Sequence, residues 1–421
     1  MNTVENTVDN GLCISCGICK AVCPKNCIQY KKENGLNLPV IDKESCVNCG
    51  RCIQVCPGIG FDYTKYLQQT ENTSFWFGNY QALYSAWSLD KERRKNSVSG
   101  GVATELVYNL LESGEYDSAF LIGTHDYITD GAQTRRYVKS DSLQSTQKSR
   151  YLPVSQEEAV SYILSHRTEK VILVGTGCFI QGIMKVIDTY KLNRSNYFII
   201  GLFCDKTMTW NIIEYFRKHP SLKGKDMKQY YFRTKEVGGW PGGVQLQTDV
   251  GEVINLPKTE RMKVKEYFQP ERCLYCLDKL NMFADISVGD NYTGASAGKE
   301  GSNSVIIRTD EGMRIWEKFA SAFYYEESSE ERIRKSQHLQ ERPKNSCYAG
   351  LKEQKIDQKI NITGDLVKEP DITWKNRLQY KWRKFKIRVG ANWSKRPYIL
   401  SVCLLWKNLK IRIKNILKRS S

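Results

Sequence analysis

Apolar positions along this chain change their period from segment to segment, and those changes mark its elements. Ala82 to Ser88 reads as a strand. Within Gly101–Leu111, Val102, Leu106 and Leu110 recur at helical spacing. Ser118–Gly123, Val171–Val174 and Tyr197–Phe203 are short apolar runs of the kind that buried strands show. The second runs into Gly175-Thr176-Gly177-Cys178, and the third ends at Cys204. Strands alternating with helical stretches predict an α/β sheet. From Ile399 onward Val402, Leu405, Trp406, Leu409, Ile413, Ile416 and Leu417 fall on one side of a helix, at about 100° per residue. Lys407, Lys410, Arg412, Lys414, Lys418 and Arg419 lie toward its other sides.

Residues 60–80, with Phe75-Trp76-Phe77-Gly78, read as the connection into the α/β body, and 349–370 as a polar linker. The expected organisation is a small domain over 1–62, a body in two parts over 78–160 and 161–348, that linker, and a tail over 371–421. No apolar run approaches the ~18 residues of a membrane-spanning helix. Met1–Asn10 is polar and acidic, unlike a secretory signal. A cytoplasmic protein is the expectation.

Charge changes the picture only once it is located. The net charge is +17, yet Ile372–Ser421 alone holds 15 Lys/Arg and no acidic residue. The body is therefore close to neutral, and the basicity belongs to the tail. An apolar stripe with basic flanks fits a helix in a membrane interface, which would place the protein peripherally on the inner face of the cell membrane. The same stripe also suits docking on the body or on a partner subunit. The amphipathic pattern disfavours the remaining reading, nucleic acid.

Of 15 cysteines, nine precede residue 57. They form Cys13-x2-Cys16-x2-Cys19-x3-Cys23-Pro24 and Cys46-x2-Cys49-x2-Cys52-x3-Cys56-Pro57, with Cys27 between them. This is the bacterial spacing for two [4Fe–4S] clusters, in which the fourth cysteine of each run serves the other cluster. Cys13, Cys16, Cys19 and Cys56 are expected around one cubane, and Cys46, Cys49, Cys52 and Cys23 around the other. Zinc favours pairs of Cys-x2-Cys over triplets with a distant fourth member. Ile14, Ile18, Val22, Val47, Ile53 and Val55 would form an apolar shell that limits water and tunes potential. Cys27 is left over as a spare thiol. Clusters of this kind imply a reducing compartment.

In the body, Cys178 and Cys204 end two predicted strands, and Cys273 and Cys276 form a Cys-x2-Cys pair. Strand ends on one sheet edge are where α/β proteins assemble sites. Four thiolates there suit a third cluster, a zinc site, or structural cysteines beside an unrelated pair. Ser97-Val98-Ser99-Gly100-Gly101 opens a helix, either as a phosphate cradle or as an ordinary serine-capped start. Gly175-Thr176-Gly177 lacks the third glycine of a dinucleotide fingerprint, since Ile180 stands in its place.

Taken in order, the motifs from Tyr80 to Tyr348 resemble the beta subunit of coenzyme F420 hydrogenase/dehydrogenase. They are the Ser97–Gly101 helix start, Lys148-Ser149-Arg150-Tyr151, Gly175–Cys178, Ile200-Gly201-Leu202-Phe203-Cys204, and Tyr231-Phe232-Arg233-x-Lys235 with Gly239-Trp240. Cys273-Leu274-Tyr275-Cys276, Ala284–Asp290 and Ser304–Thr309 complete the series. Gly177 and Phe179 stand where the family usually has proline and glutamine, and Asp205-Lys206-Thr207 also departs from its pattern.

The resemblance implies FAD, with Ser97, Ser99, Gly100 and Gly101 as flavin contacts. It also implies a third [4Fe–4S] cluster on Cys178, Cys204, Cys273 and Cys276. Arg233 and Lys235 would bind flavin phosphates or an anionic substrate, or else lie on a solvated strand edge. His125 is either a proton donor near the flavin or a plain loop histidine, and Asp290, at a strand end, is either a cofactor contact or, more plainly, a turn residue.

The expected fold class is thus an α+β ferredoxin-like dicluster domain, an α/β body and a basic amphipathic helical tail. The expected function is an iron–sulfur flavoprotein oxidoreductase whose partner is a redox protein or a hydride-carrying coenzyme, such as a deazaflavin. The rivals are an electron-transfer subunit serving another enzyme, such as one of polysaccharide synthesis by analogy with fused relatives, and a non-catalytic membrane-associated scaffold.

Overall fold

The computed structural model describes residues 3–67, 76–123, 132–138, 143–293, 298–340, 347–353 and 372–406. Its amino-terminal lobe repeats one backbone device. Ser15 and Asn48 take left-handed φ of 57° and 52°, and Gly17 and Gly50 follow at 76° and 71°. Glycine makes that conformation inexpensive. The short helices Ile18–Ala21 and Arg51–Gln54 start directly after these glycines, so each run of cysteines curls around a centre. Strands β1 (Ile28–Glu33) and β2 (Leu36–Ile41) pair antiparallel between the two runs.

The body is built on β3 (Ala82–Ser88), β4 (Ser118–Ile122), β5 (Ala132–Tyr137), β6 (Val154–Ser155), β7 (Val171–Thr176), β8 (Tyr197–Leu202), β12 (Ile286–Asp290), β13 (Asn303–Ile307) and β14 (Phe323–Glu327). They form one sheet in the order β14-β3-β13-β12-β8-β7-β4-β5-β6. The neighbours β4, β7, β8 and β12 run parallel at its centre. The outer pairs β12–β13, β13–β3, β3–β14 and β4–β5 are antiparallel. The apolar runs read from sequence fall on β3, β4, β7 and β8, and the helical run on Val102–Glu112. The body is therefore mixed, with a parallel centre, antiparallel pairs on both sides of it and the short β6 parallel to β5 at one edge.

Side chains alternate across a strand, and both faces of this sheet are buried. Val171, Leu173, Tyr197 and Ile199 join one core with Phe179 and Ile183 from the helix Gly177–Tyr190. Ile172, Phe198 and Ile200 join the other with Val102, Leu106 and Leu110. The amino-terminal lobe shares the first core through Ile18, Val22 and Val55. The Gln156 amide donates to Cys16 O at 2.7 Å, and the Tyr190 hydroxyl to Val22 O at 3.2 Å. Ile53 is also buried, whereas Val47, expected in the apolar shell, is exposed. It sits on the same outward loop as the exposed Cys49.

A second, three-stranded sheet of β9 (Met227–Thr234), β10 (Gly243–Thr248) and β11 (Val253–Leu256) carries its own core. Val389, Trp393 and Leu400 of the tail enter that core beside Phe216, Tyr230 and Phe232. Where the sequence suggests a linker from residue 349, Tyr348–Glu353 is helical with Ala349, Gly350 and Leu351 buried. Residues 354–371 lie outside the described residues. The helix Trp374–Ala391 opens with a capping box between Thr373 and Asn376, and residues 397–406 are helical. The remainder of the stripe read from Ile399 lies outside the described residues. No helix among the described residues is long and apolar enough to cross a membrane.

The docked tail has one point of very close approach. A Cβ on Gly390 would meet the carbonyl oxygen of Tyr267. Gly390→Ala should therefore lower stability by about 1–3 kcal/mol, the usual range for overpacking. Thermal unfolding followed by circular dichroism checks this, and an unchanged midpoint would mean that the helix does not seat there.

Candidate functional site

The amino-terminal cysteines ring two cavities. Cys13, Cys16, Cys19 and Cys56 line one of about 340 Å³, partly open to solvent. Cys23, Cys46, Cys49 and Cys52 line another of about 360 Å³. The expected exchange of the fourth cysteine is how the two runs meet. Cys27, left over by the spacing, also lines the second cavity, with its sulfur 3.4 Å from that of Cys23. Among the described residues, no three His, Cys, Asp or Glu side chains gather as they would on a single metal ion. The thiols surround volumes instead.

Burial pushes the Cys13 thiol up to about 12, against the opposing pull of the Ser15 backbone N–H. Cys16 and Cys19 are driven up in the same way, first by burial and then by neighbouring thiols. Such groups do not ionise unaided. A cationic centre among them deprotonates coordinating thiols and reverses that cost. The donor set thus fits iron–sulfur clusters.

The parallel neighbours β7 and β8 end on one sheet edge, in register at Thr176 and Leu202. That edge places Cys178 in the first turn of Gly177–Tyr190 and Cys204 two residues past β8. Cys178, Cys273 and Cys276 lie within each other's electrostatic reach. Burial raises Cys178 and raises Cys273 to about 12. The Cys204 amide donates to Lys279 O at 2.9 Å, just beyond that pair. A cysteine to which the sequence assigned no role is also here: the buried Cys347 donates to Cys276 O at 3.1 Å. Its only sequence signal is a thiol at the end of an otherwise polar stretch. Gly177 has a physical reason. Any Cβ there would come within 2.6 Å of the buried Asp278 carboxylate, which would have to shift to admit it.

The two thiol groups adjoin. Cys16 of the first cavity and Cys178 of the body feel each other's charge. Two cations stand at the junction. Arg272 is buried and donates from Nε to Gly58 O at 3.2 Å and from Nη2 to Pro57 O at 3.4 Å. Its Nη1 has no hydrogen-bond partner among the described residues. Lys185 Nζ donates to Cys56 O at 2.7 Å. Burial lowers Lys185 to about 8.

The residues expected to contact flavin also come together, and their polar side chains bond to neighbouring groups. Arg233 donates to both Asp290 oxygens at 2.6 and 3.1 Å, to Tyr151 Oη at 3.0 Å and to Pro241 O at 2.7 Å. Lys235 Nζ donates to Arg94 O at 2.5 Å and Ser99 O at 2.8 Å, and burial lowers it to about 8. Ser99 Oγ donates to Ser302 O at 2.6 Å, and Ser97 Oγ accepts from Gln147 at 3.0 Å. Gly100 packs against Ala86 O and Asn303, and the Val102 amide following Gly101 donates to Asn303 Oδ1 at 3.2 Å. The side chains of Ser97, Ser99, Arg233 and Lys235 thus bond internally, between β3, β9, β12 and β13. Arg233 and Lys235 do not lie on a solvated strand edge. Asp290 is a buried-pair partner rather than a simple turn former. His125 lies outside the described residues.

A different group of cations adjoins the body thiols. Burial lowers Lys265, and the nearby charges of Lys206 and Arg261 lower it further, against the opposing pull of Asp205 and Glu266. Arg261 also lies over the Tyr151 ring at 5.4 Å. The Thr207 amide, next to Lys206, is bonded to Cys273, and the Thr207 hydroxyl is buried without a partner among the described residues. Periodicity gave no sign of this group, because Arg261 and Lys265 belong to the short helix Lys258–Val264 and its end, while Lys206 comes from the loop after β8.

Comparisons with known proteins follow the same division. Residues 12–58 match the 4Fe-4S dicluster domain. Residues 83–161 match the N-terminal part, and 168–332 the C-terminal part, of the coenzyme F420 hydrogenase/dehydrogenase beta subunit. Coenzyme F420 hydrogenase subunit beta of Methanosarcina barkeri is 26% identical over 268 residues, covering 62% of this chain and 85% of that protein. The coenzyme F420-dependent sulfite reductase of Methanocaldococcus jannaschii is 26% identical over 329 residues, 74% of this chain but 46% of that protein. One component of the F(420)H(2) dehydrogenase of Methanosarcina mazei is 24% identical over 327 residues, 75% of this chain and 84% of that protein. A chain of the F420-reducing [NiFe] hydrogenase complex from Methanosarcina barkeri superposes with a TM-score of 0.49 at 24% identity, over 64% of this chain and 91% of that one. The two beta-subunit matches together take in more than half of the residues, and this chain belongs to the coenzyme F420 hydrogenase/dehydrogenase beta-subunit family, a family of oxidoreductases, with a 4Fe-4S dicluster domain at its amino-terminal end.

Proposed function

We propose that this protein is an electron-transfer oxidoreductase in which three thiol-held [4Fe–4S] clusters lead from the surface to a two-electron acceptor in the body. The observation that carries the reading is the seating of the ferredoxin-type lobe on the helix that bears Cys178, where Gly182 packs against Ile18 and Lys185 Nζ donates to Cys56 O at 2.7 Å. It joins the inner ferredoxin-type cavity to the body thiols without an intervening domain. Cys49, exposed at the outer cavity, marks the end where a redox partner protein delivers or collects single electrons. Cys13, Cys16, Cys19 and Cys56 would hold the inner cluster. Cys23, Cys46, Cys49 and Cys52 would hold the outer one. Cys178, Cys204, Cys273 and Cys276 would hold the third.

The acceptor is a flavin, as the family resemblance implies. When bound, it converts single electrons into hydride chemistry. Its candidate contacts are Ser97, Ser99, Gly100 and Gly101. The positive charge of Lys206, Arg261 and Lys265 beside Cys204 and Thr207 suits an anionic coenzyme, and a deazaflavin is the hydride carrier that the relatives' names suggest. These residues would bind and orient such a ligand, while the apolar cores on both sides of the sheet keep water from the thiols. The tail places the protein peripherally at the cytoplasmic face of a membrane.

Iron and flavin content per chain after strictly anaerobic purification tests this. Three cubanes require about twelve irons and two about eight. Twelve with one flavin is the expected result, and Cys178→Ser should remove about four irons. Eight irons without flavin would overturn the body centre and leave an electron carrier.

A further inference from the structure

The helix Trp374–Ala391 has two working faces. Its inner face is docked. Tyr380 and Ile387 are buried, and the Tyr380 hydroxyl meets that of Tyr275 at 2.8 Å. Lys384 pairs with Glu271 at 2.7 Å and Lys386 with Glu266 at 2.5 Å. The outer face is apolar and bare. Trp374, Leu378, Trp382 and Phe385 are 70%, 59%, 50% and 40% exposed. At about 100° per residue these four span an arc of roughly 80°, on the side opposite Tyr380 and Ile387. Trp382 and Phe385 stack with ring centroids 5.1 Å apart.

Charge identifies what covers this face. Lys375 borders the stripe on one side, and Arg377 and Arg388 on the other, all exposed. No acidic residue occurs from Ile372 to the end of the chain. A second copy would therefore meet the face with like charge. The helical residues 397–406 repeat the design, with Tyr398, Leu405 and Trp406 exposed and Leu400 buried. Tryptophan and tyrosine favour the headgroup level of a bilayer, and lysine and arginine favour its anionic lipids.

We propose that the outward stripe Trp374–Leu378–Trp382–Phe385 lies on an anionic lipid surface, a proposal that rests on the peripheral-membrane reading above and assigns its contact face. Because the inner face is pinned to the body, the contact also fixes the orientation of the redox body on the bilayer. Docking on the body and membrane binding, rivals in the sequence, are then two sides of one helix.

The test uses the full-length chain, purified anaerobically and sedimented with vesicles. One set contains equal parts phosphatidylcholine and phosphatidylglycerol, and the other phosphatidylcholine alone. The expected result is binding to the anionic vesicles that weakens with salt, and little to the neutral ones. The double variant Leu378→Glu, Trp382→Glu should bind the anionic vesicles at least tenfold more weakly, with unchanged circular dichroism and iron content, since both side chains are exposed. A second variant, Leu409→Glu with Ile413→Glu, separates the two claims. Loss in that variant alone, with the first binding as wild type does, would overturn this contact face and keep the peripheral reading. No wild-type binding to either vesicle would overturn both and leave the stripe to a protein partner. Equal, salt-insensitive binding to both vesicles would overturn the anionic surface.

Discussion

Asp290→Ala should lower stability by about 3–5 kcal/mol, because it strands a buried guanidinium. Arg233 is almost fully buried, and its two strongest partners are the Asp290 oxygens at 2.6 and 3.1 Å. Trp240 Nε1 donates to the same carboxylate at 3.0 Å. A loss of that size corresponds to a fall in melting temperature on the order of 10 °C for a unit of this size. Asp290→Asn retains an acceptor for Trp240 and should cost less. The pair also sets an acid limit. Burial pushes the Asp290 carboxyl up, but the Arg233 charge and the hydrogen bonds from Arg233 and Trp240 outweigh it and hold the group below its ordinary range. A depressed folded value means that the stabilisation is complete above the unfolded carboxyl's pKa, about 3.9, and disappears as pH falls through the lower folded value. Thermal melts at neutral and acid pH check both statements. If Asp290→Ala melts within about 2 °C of wild type, a shift worth roughly 1 kcal/mol or less, Arg233 is not committed to this pair and becomes available again for an anionic ligand.

What the sequence revealed depended on the range of the interaction. Cluster ligation is written in local spacing, so Cys13–Cys23 and Cys46–Cys56 could be sorted into two sets before any fold was considered. Strands β7 and β8 are continuous apolar runs because both faces of the sheet are covered, and their ends located Cys178 and Cys204. Arg233 and Lys235 were legible as a motif, yet their partners were not: Asp290 and Ser99 lie on other elements, and no periodicity connects them. The same holds for Arg272, which reaches Pro57 and Gly58 from more than two hundred residues away. Cys347 and the helix Tyr348–Glu353 were obscured because a polar average over 349–370 conceals three small or apolar residues that bury themselves. In the tail, a basic composition obscured Tyr380 and Ile387, whose inward face shows only when the body they dock on is present.

Arg272→Gln should lower the reduction potential of the centres on either side of it while leaving the iron content intact. Arg272 contacts the backbone directly after Cys56 and precedes Cys273 in the chain. Its charge favours the ionised forms of Cys178 and Cys273. Reducing a cluster adds negative charge, so a buried cation nearby stabilises the reduced form and raises the potential. A unit charge ~8 Å away through an effective dielectric of ~20 contributes about 2 kcal/mol, or roughly 90 mV for a one-electron couple. Glutamine retains hydrogen-bond donors for the Pro57 and Gly58 carbonyls, so the loop after Cys56 need not shift. Lys185→Gln removes the second cation at the same junction and should move the potential in the same direction, with a smaller effect because burial weakens its charge. Potentiometric titration monitored by electron paramagnetic resonance reads each centre separately. The outer cluster, at Cys46 and Cys49, serves as the internal control, since it is the farther of the two ferredoxin-type sets from the body thiols in this relay. Shifts confined to the inner and body centres would establish that Arg272 sets the driving force at the point where electrons pass from the ferredoxin lobe into the body. Unchanged potentials with all irons present would reduce Arg272 to a mechanical tie between the two.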